Sequence, residues 1–320
     1  MSRIATLTMN PAVDVTTAVD QVIPNRKLRC SEAKREPGGG GINVARAIHR
    51  LGGDATAIFL SGGPTGERLA RQIEDEGVTP SPINIAHESR ETLNVTERST
   101  GSQFRFIMEG PEIAEPEWQA VLSKISSLDP APEYLVASGS LPPGVPPDFY
   151  GRLSRLAAER GTHLIVDTSG APLQHAVGPG TLLLKPNIHE FRQLTGAGDA
   201  TGGFSDFFLE GAARALVSAG RSRAVLLSIG AGGAILAWEG GVKRIVAPTV
   251  KVESRVGAGD STVAGTVLAL SRGMPIDQAA VFGIAAGTAA VMTPGTELCT
   301  REDTERLYEQ MSGSGTKANR

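Results

Sequence analysis

Val256-Gly257-Ala258-Gly259-Asp260-Ser261 runs straight into a stretch of small and apolar residues, Thr262 to Leu270. The spacing predicts a glycine turn that opens a helix, with one carboxylate in the first turn. N–H groups of a first helical turn have no intrahelical carbonyl to reach, and the helix dipole adds positive potential there. Such a terminus suits an anion such as a phosphate. A carboxylate beside an anion site is costly unless it has a task, such as taking a proton from a nucleophile. The chemistry indicated is phosphoryl transfer to a hydroxyl. An ordinary Asp titrates near ~3.9, so Asp260 is expected to be ionised at neutral pH. The tetrapeptide alone carries little. Gly196-Ala197-Gly198-Asp199 repeats it, but Ala200-Thr201-Gly202-Gly203 follows with no apolar helical face, and that copy reads as a surface loop.

Other residues could serve the same chemistry. Pro37-Gly38-Gly39-Gly40-Gly41-Ile42-Asn43 sends four glycines into a helix, more than a turn requires. Bare backbone there invites a ligand, and Asn43 is placed to hydrogen-bond a sugar hydroxyl. The spacing is not GxGxxG, and no GxxxxGK[ST] occurs, so neither a dinucleotide fingerprint nor a P-loop is present. Lys185-Pro186-Asn187 is followed by Glu190, and Asn187 with Glu190 suits a hydrated Mg²⁺, which keeps most of its waters. Alone, Glu190 reads as a solvated helix residue. Lys27, Arg29, Arg90 and Arg105 read either as a solvated face or as contacts to a substrate phosphate. The five histidines, His49, His87, His163, His175 and His189, form no metal or catalytic grouping, and no GxSxG elbow exists.

These residues need elements to hold them. Strand patterns fall at Ile4 to Thr8, Thr56 to Leu60, Tyr134 to Ala137, His163 to Val166, Leu182 to Leu184 and Ala224 to Ser228. Helical patterns fall at Ile42 to Leu51, Glu67 to Glu76, Phe149 to Arg160 and Phe208 to Ser218. Alternating β and α with short connections implies a mostly parallel sheet covered on both faces. Polar and glycine clusters follow strand after strand, at the carboxyl ends where open α/β sheets bind ligands. Two segments break the rhythm. Asp14 to Arg35 is polar and basic, and Glu91 to Met108 alternates like paired strands about a Ser99-Thr100-Gly101-Ser102 turn. They are expected to form a small inserted sheet, which needs the core or a second subunit to be stable.

Composition excludes several classes. The chain has 320 residues, 39 of them glycine, and a net charge of −3, which points to neither nucleic acid nor an anionic membrane surface. Cys30 and Cys299 show no metal spacing and no disulfide framework, as in a reduced cytoplasmic protein. No apolar run reaches the ~18 residues of a membrane span, and no signal-peptide core is seen. The polar tail from Ser312 is expected to be disordered.

GGGGIN, SGSLPPG, KPN-x-x-E and VGAGDS, in this order, resemble the ribokinase-like, PfkB-type carbohydrate kinases from about Arg3 to about Leu307. Lys27-Leu28-Arg29-Cys30, the run from Glu36 to Arg46, and Gly295-Thr296-Glu297-Leu298-Cys299 resemble most the minor bacterial 6-phosphofructokinases. The 1-phosphofructokinases usually carry a lysine within the glycine run, and none stands here. The resemblance implies an α/β sandwich (residues 1–10, 36–88 and 109–311) with a β-sheet lid (11–35 and 89–108), clasped in a homodimer through the lids. It implies that MgATP and fructose 6-phosphate give ADP and fructose 1,6-bisphosphate. Asp260 is then the base, and the N–H groups of Gly257, Ala258 and Gly259 form the anion hole. Asp14, Gly39, Asn43, Arg90 and Ser140 contact the sugar phosphate, with Lys27 and Arg29 reaching in from the partner subunit. Lys185, Asn187, Ser228, Gly230 and Gly233 lie on the nucleotide side, and Glu190 organises water on Mg²⁺. A K⁺ loop is implied at Ser254, Val256, Thr293 and Gly295, with Glu297 where relatives carry a basic residue. Arg255 and Val252 also depart from the family pattern near the nucleotide. Tagatose 6-phosphate and fructose 1-phosphate are the competing substrates, and a sugar-phosphate sensor without catalysis is the competing class.

Overall fold

The computed structural model describes residues 3–178, 180–196 and 206–313. The second Gly-Ala-Gly-Asp copy, after Gly196, and the tail beyond Gly313 lie outside these residues. In chain order the elements are β1 (Ile4–Thr8), β2 (Ala12–Val19), β3 (Lys34–Gly38), α1 (Gly40–Arg50), β4 (Ala55–Ser61), α2 (Gly63–Asp75), β5 (Thr79–Asn84), β6 (Arg90–Glu97), β7 (Gln103–Ile107) and α3 (Glu115–Ser126). There follow β8 (Tyr134–Ser138), α4 (Phe149–Glu159), β9 (His163–Asp167), α5 (Gly170–His175), β10 (Thr181–Leu184), α6 (Ile188–Thr195), α7 (Asp206–Ser218), β11 (Ala224–Ser228), β12 (Ala234–Trp238) and β13 (Gly241–Ile245). Three helices close the chain: α8 (Ala258–Ser271), α9 (Ile276–Ala290) and α10 (Arg301–Met311).

The large sheet has the order β13-β12-β11-β10-β9-β8-β1-β4-β5. Every pair from β11 to β5 is parallel, and only β12 and β13 run antiparallel. The expected mostly parallel α/β architecture is therefore present. Both faces are covered, and β8 shows how: Tyr134 and Val136 pack into one core, Leu135 and Ala137 into the other. The first core holds Ile42 and Ile48 of α1, Val263 and Val267 of α8, and Ile284 of α9. The second holds Trp118, Phe149, Tyr150 and Leu153, with the Trp118 and Phe149 rings edge to face at 6.4 Å.

A separate sheet has the order β3-β2-β6-β7. The β6–β7 hairpin matches the alternation read in Glu91 to Met108, and β2 joins it in parallel. β3 carries Glu36, Pro37 and Gly38 into this sheet, so the glycine run begins on the small sheet and ends in α1.

The sequence patterns missed β12, β13, α3, α5, α6 and α10, and two further missed elements have a clear physical reason. β5 reads Thr-Pro-Ser-Pro-Ile-Asn, and prolines fit only an edge strand, which β5 is. α9 is buried on nearly every side, so its small apolar residues carry no helical period. Among the described residues, no helix is long and apolar enough to cross a membrane.

Candidate active site

α8 begins as the sequence predicts. Gly257 is its N-cap, in the left-handed region at φ 75°, and a β-carbon there would stand 2.6 Å from Leu298 Cδ2. Both facts call for glycine. Asp260 is the third helical residue, so the first-turn N–H groups and the carboxylate leave the helix together. Gly257 and Asp260 line a cavity of about 370 Å³ whose polar lining also includes Asp14, Asn43, Arg90, Asp167 and Glu190, while Ala258 and Gly259 are not on it. The cavity sits where β8 and β9 end in Ser138 and Asp167, and the small sheet supplies its other wall through Asp14, Arg90, Thr92, Asn94 and Arg105. Gly39, Ser140, Val256 and Gly257 complete the set of sequence-predicted residues on that lining.

The glycine run has a packing reason as well. A β-carbon on Gly38 would overlap the Asp14 carboxylate, and one on Gly41 would come within 2.5 Å of the Leu7 carbonyl oxygen. The run lets α1 start against β1 while Gly39 and Gly40 remain on the cavity wall.

Asp260 differs from the ordinary aspartate expected. Burial, reinforced by the charge of Asp167, pushes its pKa up to about 6. A hydrogen bond from Asn43 Nδ2 (2.9 Å) and the Lys185 charge act the other way. Asp260 is thus largely ionised at neutral pH but titrates close to it, the position an efficient general base occupies.

Lys185 is buried and paired with Asp167 at 3.2 Å. Burial opposes its charge, but Asp167, Glu190 and Asp260 outweigh burial and hold it protonated. Its Nζ lies 3.5 Å from where a β-carbon on Gly259 would stand, so a positive charge underlies the helix terminus. Asp167 ends β9 and belongs to none of the sequence motifs. Its role appears once β9 and β10 are known to be neighbours.

On the other wall, Asp14 accepts from Thr92 Oγ1 at 2.5 Å, and burial raises its pKa against the pull of Arg105, Arg46 and Arg90. Arg90 donates to the carbonyls of Met108 (2.8 Å) and Asn10 (3.0 Å), while its Nε is buried with no hydrogen-bond partner among the described residues. Ser140 Oγ accepts from Asn10 Nδ2 at 3.2 Å. Lys27 and Arg29 are exposed on the segment between β2 and β3 and do not line the cavity of their own chain.

Asn187 and Glu190 cap α6 reciprocally: Asn187 Oδ1 accepts from the Glu190 N–H (2.9 Å), and Glu190 Oε2 from the Asn187 N–H (2.8 Å). Their spacing therefore has a structural cause. Glu190 still lines the cavity, and burial raises its pKa, which marks a carboxylate whose charge is incompletely compensated. That donor suits a hard cation such as Mg²⁺. Asn187 bridges to Ser228, which sets the Lys185-Pro186-Asn187 turn beside the Gly230–Gly232 turn that Gly233 closes. Ser228, Gly230 and Gly233 do not line the 370 Å³ cavity.

Ser254, Val256, Thr293 and Gly295 are drawn together by local bonds. Ser254 Oγ donates to the Gly295 carbonyl (2.7 Å) and accepts from the Val256 N–H (3.2 Å), and Thr293 Oγ1 reaches the Glu297 carbonyl (2.8 Å). The donors are carbonyl and hydroxyl oxygens, a set that fits a weakly hydrated monovalent cation. Arg255, a departure from the family pattern, lies on the cavity lining, while Val252 is exposed.

Similarity to known proteins extends over nearly the whole chain. The ATP-dependent 6-phosphofructokinase isozyme 2 of Mycobacterium tuberculosis is 42% identical over 311 residues, which cover 96% of this chain and 89% of that protein. Phosphofructokinase-2 of Escherichia coli, solved in complex with potassium, superposes with a TM-score of 0.91 at 38% identity, covering 98% of this chain and all of that one. A tetrameric inhibited form of the same enzyme superposes with a TM-score of 0.90 at 38% identity and the same coverage. The pfkB family carbohydrate kinase pattern matches residues 7–303, and this chain belongs to that family.

Proposed function

We propose that this chain is an ATP-dependent 6-phosphofructokinase that transfers the γ-phosphoryl group of ATP to the 1-hydroxyl of fructose 6-phosphate. One observation carries the reading. A carboxylate with a pKa near neutrality, a helix terminus suited to an anion, and an arginine with a buried, unpartnered Nε all face one cavity. The names of the similar proteins supply the sugar.

In the step, the sugar hydroxyl oxygen attacks the γ-phosphorus and the bond to the bridging oxygen breaks. Asp260 takes the hydroxyl proton, and ADP leaves with the electron pair. The N–H groups of Gly257, Ala258 and Gly259 and the Lys185 charge stabilise the transferring group, the main requirement of phosphoryl transfer. Asp14, Gly39, Asn43 and Ser140 orient the sugar, and Arg90 takes its 6-phosphate. Lys185, Asn187, Ser228, Gly230 and Gly233 hold the nucleotide side. Glu190 would hold Mg²⁺ through water, and that cation would supply neutralisation of charge on the ATP phosphates.

The small sheet of β2, β3, β6 and β7, which runs on through Gly38 and so past the bound of 35 expected from the sequence, acts as a lid over the core. Phe106, Ile107 and Met108 are exposed on and just beyond β7, at 53%, 65% and 47%, which suits a homodimer formed through this sheet. Lys27 and Arg29 then serve the other subunit's cavity. A kinase that consumes ATP fits the cytoplasm.

ADP release with MgATP tests the reading across fructose 6-phosphate, tagatose 6-phosphate, fructose 1-phosphate and fructose. The highest kcat/KM is expected for fructose 6-phosphate. A higher value for another phosphosugar overturns the substrate, and no turnover by folded, ATP-binding protein overturns the enzyme. K⁺ at Ser254, Val256, Thr293 and Gly295 makes a second expectation: replacing KCl with a tetramethylammonium salt lowers kcat several-fold. Unchanged activity removes that site.

A further inference from the structure

Arg46 sits in α1 among apolar residues. Its side chain is 1% exposed. Nε and one terminal nitrogen grip the Glu76 carboxylate at 2.8 and 2.7 Å. The other terminal nitrogen donates to the Pro37 carbonyl (2.9 Å) and to Asn43 Oδ1 (3.2 Å). Asn43, one turn earlier on the same helix face, donates from Nδ2 to Asp260 Oδ2 at 2.9 Å.

The direction of this relay is fixed by chemistry. A guanidinium can only donate, and an ionised carboxylate can only accept. Asn43 lies between one of each, so only one of its two amide orientations satisfies both neighbours. Its oxygen must meet Arg46 and its NH₂ must meet Asp260. The opposite orientation sets N–H against N–H on one side and oxygen against oxygen on the other. A donor held on Asp260 favours its ionised form.

We infer that Arg46 is a positioning residue: it locks the Asn43 amide so that its NH₂ faces Asp260, and thereby keeps the base ready to accept a proton. This rests on the reading of Asp260 as the base. Arg46 itself touches neither substrate nor the reacting atoms. The other charges facing Asp260 come from β9 (Asp167), the end of β10 (Lys185) and β2 (Asp14). None of them contacts the Asn43 amide among the bonds described; Arg46 also acts through space on Asp14, whose greater protonation in a variant without Arg46 would lower the Asp260 pKa, so an upward move of the limb reports the relay. Glu76 and Glu36 hold Arg46 from the outer side, Glu36 at 3.8 Å and itself bonded to Thr296 at 2.5 Å.

The test is the pH profile of kcat from pH 5 to 9 for the whole enzyme. Wild type is expected to lose activity below an acid limb near pH 6, the value to which Asp260 is pushed. Arg46→Met is expected to move that limb up by about one pH unit, so that kcat at pH 6 lies about fivefold below wild type and recovers by pH 8. Arg46→Lys, still a pure donor, returns the limb toward wild type. Removing Arg46 alone strands Glu76, so the double variant Arg46→Met/Glu76→Gln, which removes both charges, serves where the single variant does not fold. A folded variant that lacks Arg46 yet keeps the wild-type limb overturns the inference, whatever its kcat. A wild-type profile with no acid limb overturns the assignment of Asp260 as base, and this inference with it.

Discussion

Asp260→Asn lowers kcat by about 10²–10⁴-fold, the usual cost of losing a general base, while MgATP binding persists. The amide retains the shape of the carboxylate, and the first turn of α8 is untouched, so the terminus still accepts phosphate. The same substitution stabilises the fold at neutral pH. Burial raises the Asp260 pKa to about 6, above its value in an unfolded chain. A raised carboxylate contributes full stability only below its unfolded pKa, and that contribution is lost as pH rises through about 6. Above that pH the ionised group is a net cost, which Asn removes. The full shift is tempered because water reaches Asp260 through the cavity, so the gain at pH 7.5 is about 1–2 kcal/mol. It vanishes below pH 4. Urea midpoints at both pH values, measured beside kcat, check both halves. Near-normal kcat rejects the catalytic role, and an equal stability change at both pH values rejects the titration argument.

Lys185→Met is expected to cost about 3–5 kcal/mol of stability, because it strands one member of a buried ion pair. Asp167 loses its partner at 3.2 Å while its own charge stays inside the protein. Activity falls with stability for two reasons. The positive charge beneath Gly259 is gone, and so is the influence that held the Asp260 pKa down, so more of the base is protonated at neutral pH. Lys185→Met/Asp167→Leu leaves no charge behind and recovers most of the stability without recovering kcat. Urea unfolding of the two variants against wild type measures the difference. A loss below about 1 kcal/mol in the single variant, the size of a surface pair, contradicts the picture of a dry, coupled pair.

The sequence was informative where chemistry and backbone need coincide locally. The glycine turn before Asp260 and the glycine run before Asn43 were visible because each demand falls within a few residues. The central strands were visible because they are apolar and end in polar clusters. What escaped were relations across the chain. Asn43 and Asp260 are 217 residues apart, and nothing at either position announces the other. Asp167 finds Lys185 only because β9 lies beside β10. The helical pattern of Ile42 to Leu51 gives Arg46 no partner, yet it is enclosed by Glu76, Pro37 and Asn43. The pKa of Asp260 departed from its ordinary value because of burial and a neighbouring carboxylate, neither of which has a local signature. α9 failed as a pattern because a helix buried all round has no polar side.

The prolines of β5 have one more consequence. Just past the strand, the Ile85 N–H reaches inward to the Ser61 carbonyl, so the alternate positions Pro80 and Pro82 turn toward the open edge of the large sheet. That edge lacks two of the donors an incoming strand would need, and the opposite margin, β13, carries Lys243 and Arg244. Both ends of the large sheet are therefore poor templates for strand addition and cross-β growth. β7, exposed along its whole length, carries Arg105 as its one charge, between Phe104 and Phe106. Among the sheet margins described, β7 is thus the one that exposes aromatic side chains, and strand-to-strand association in a crowded solution of this protein should start there and not at the large sheet.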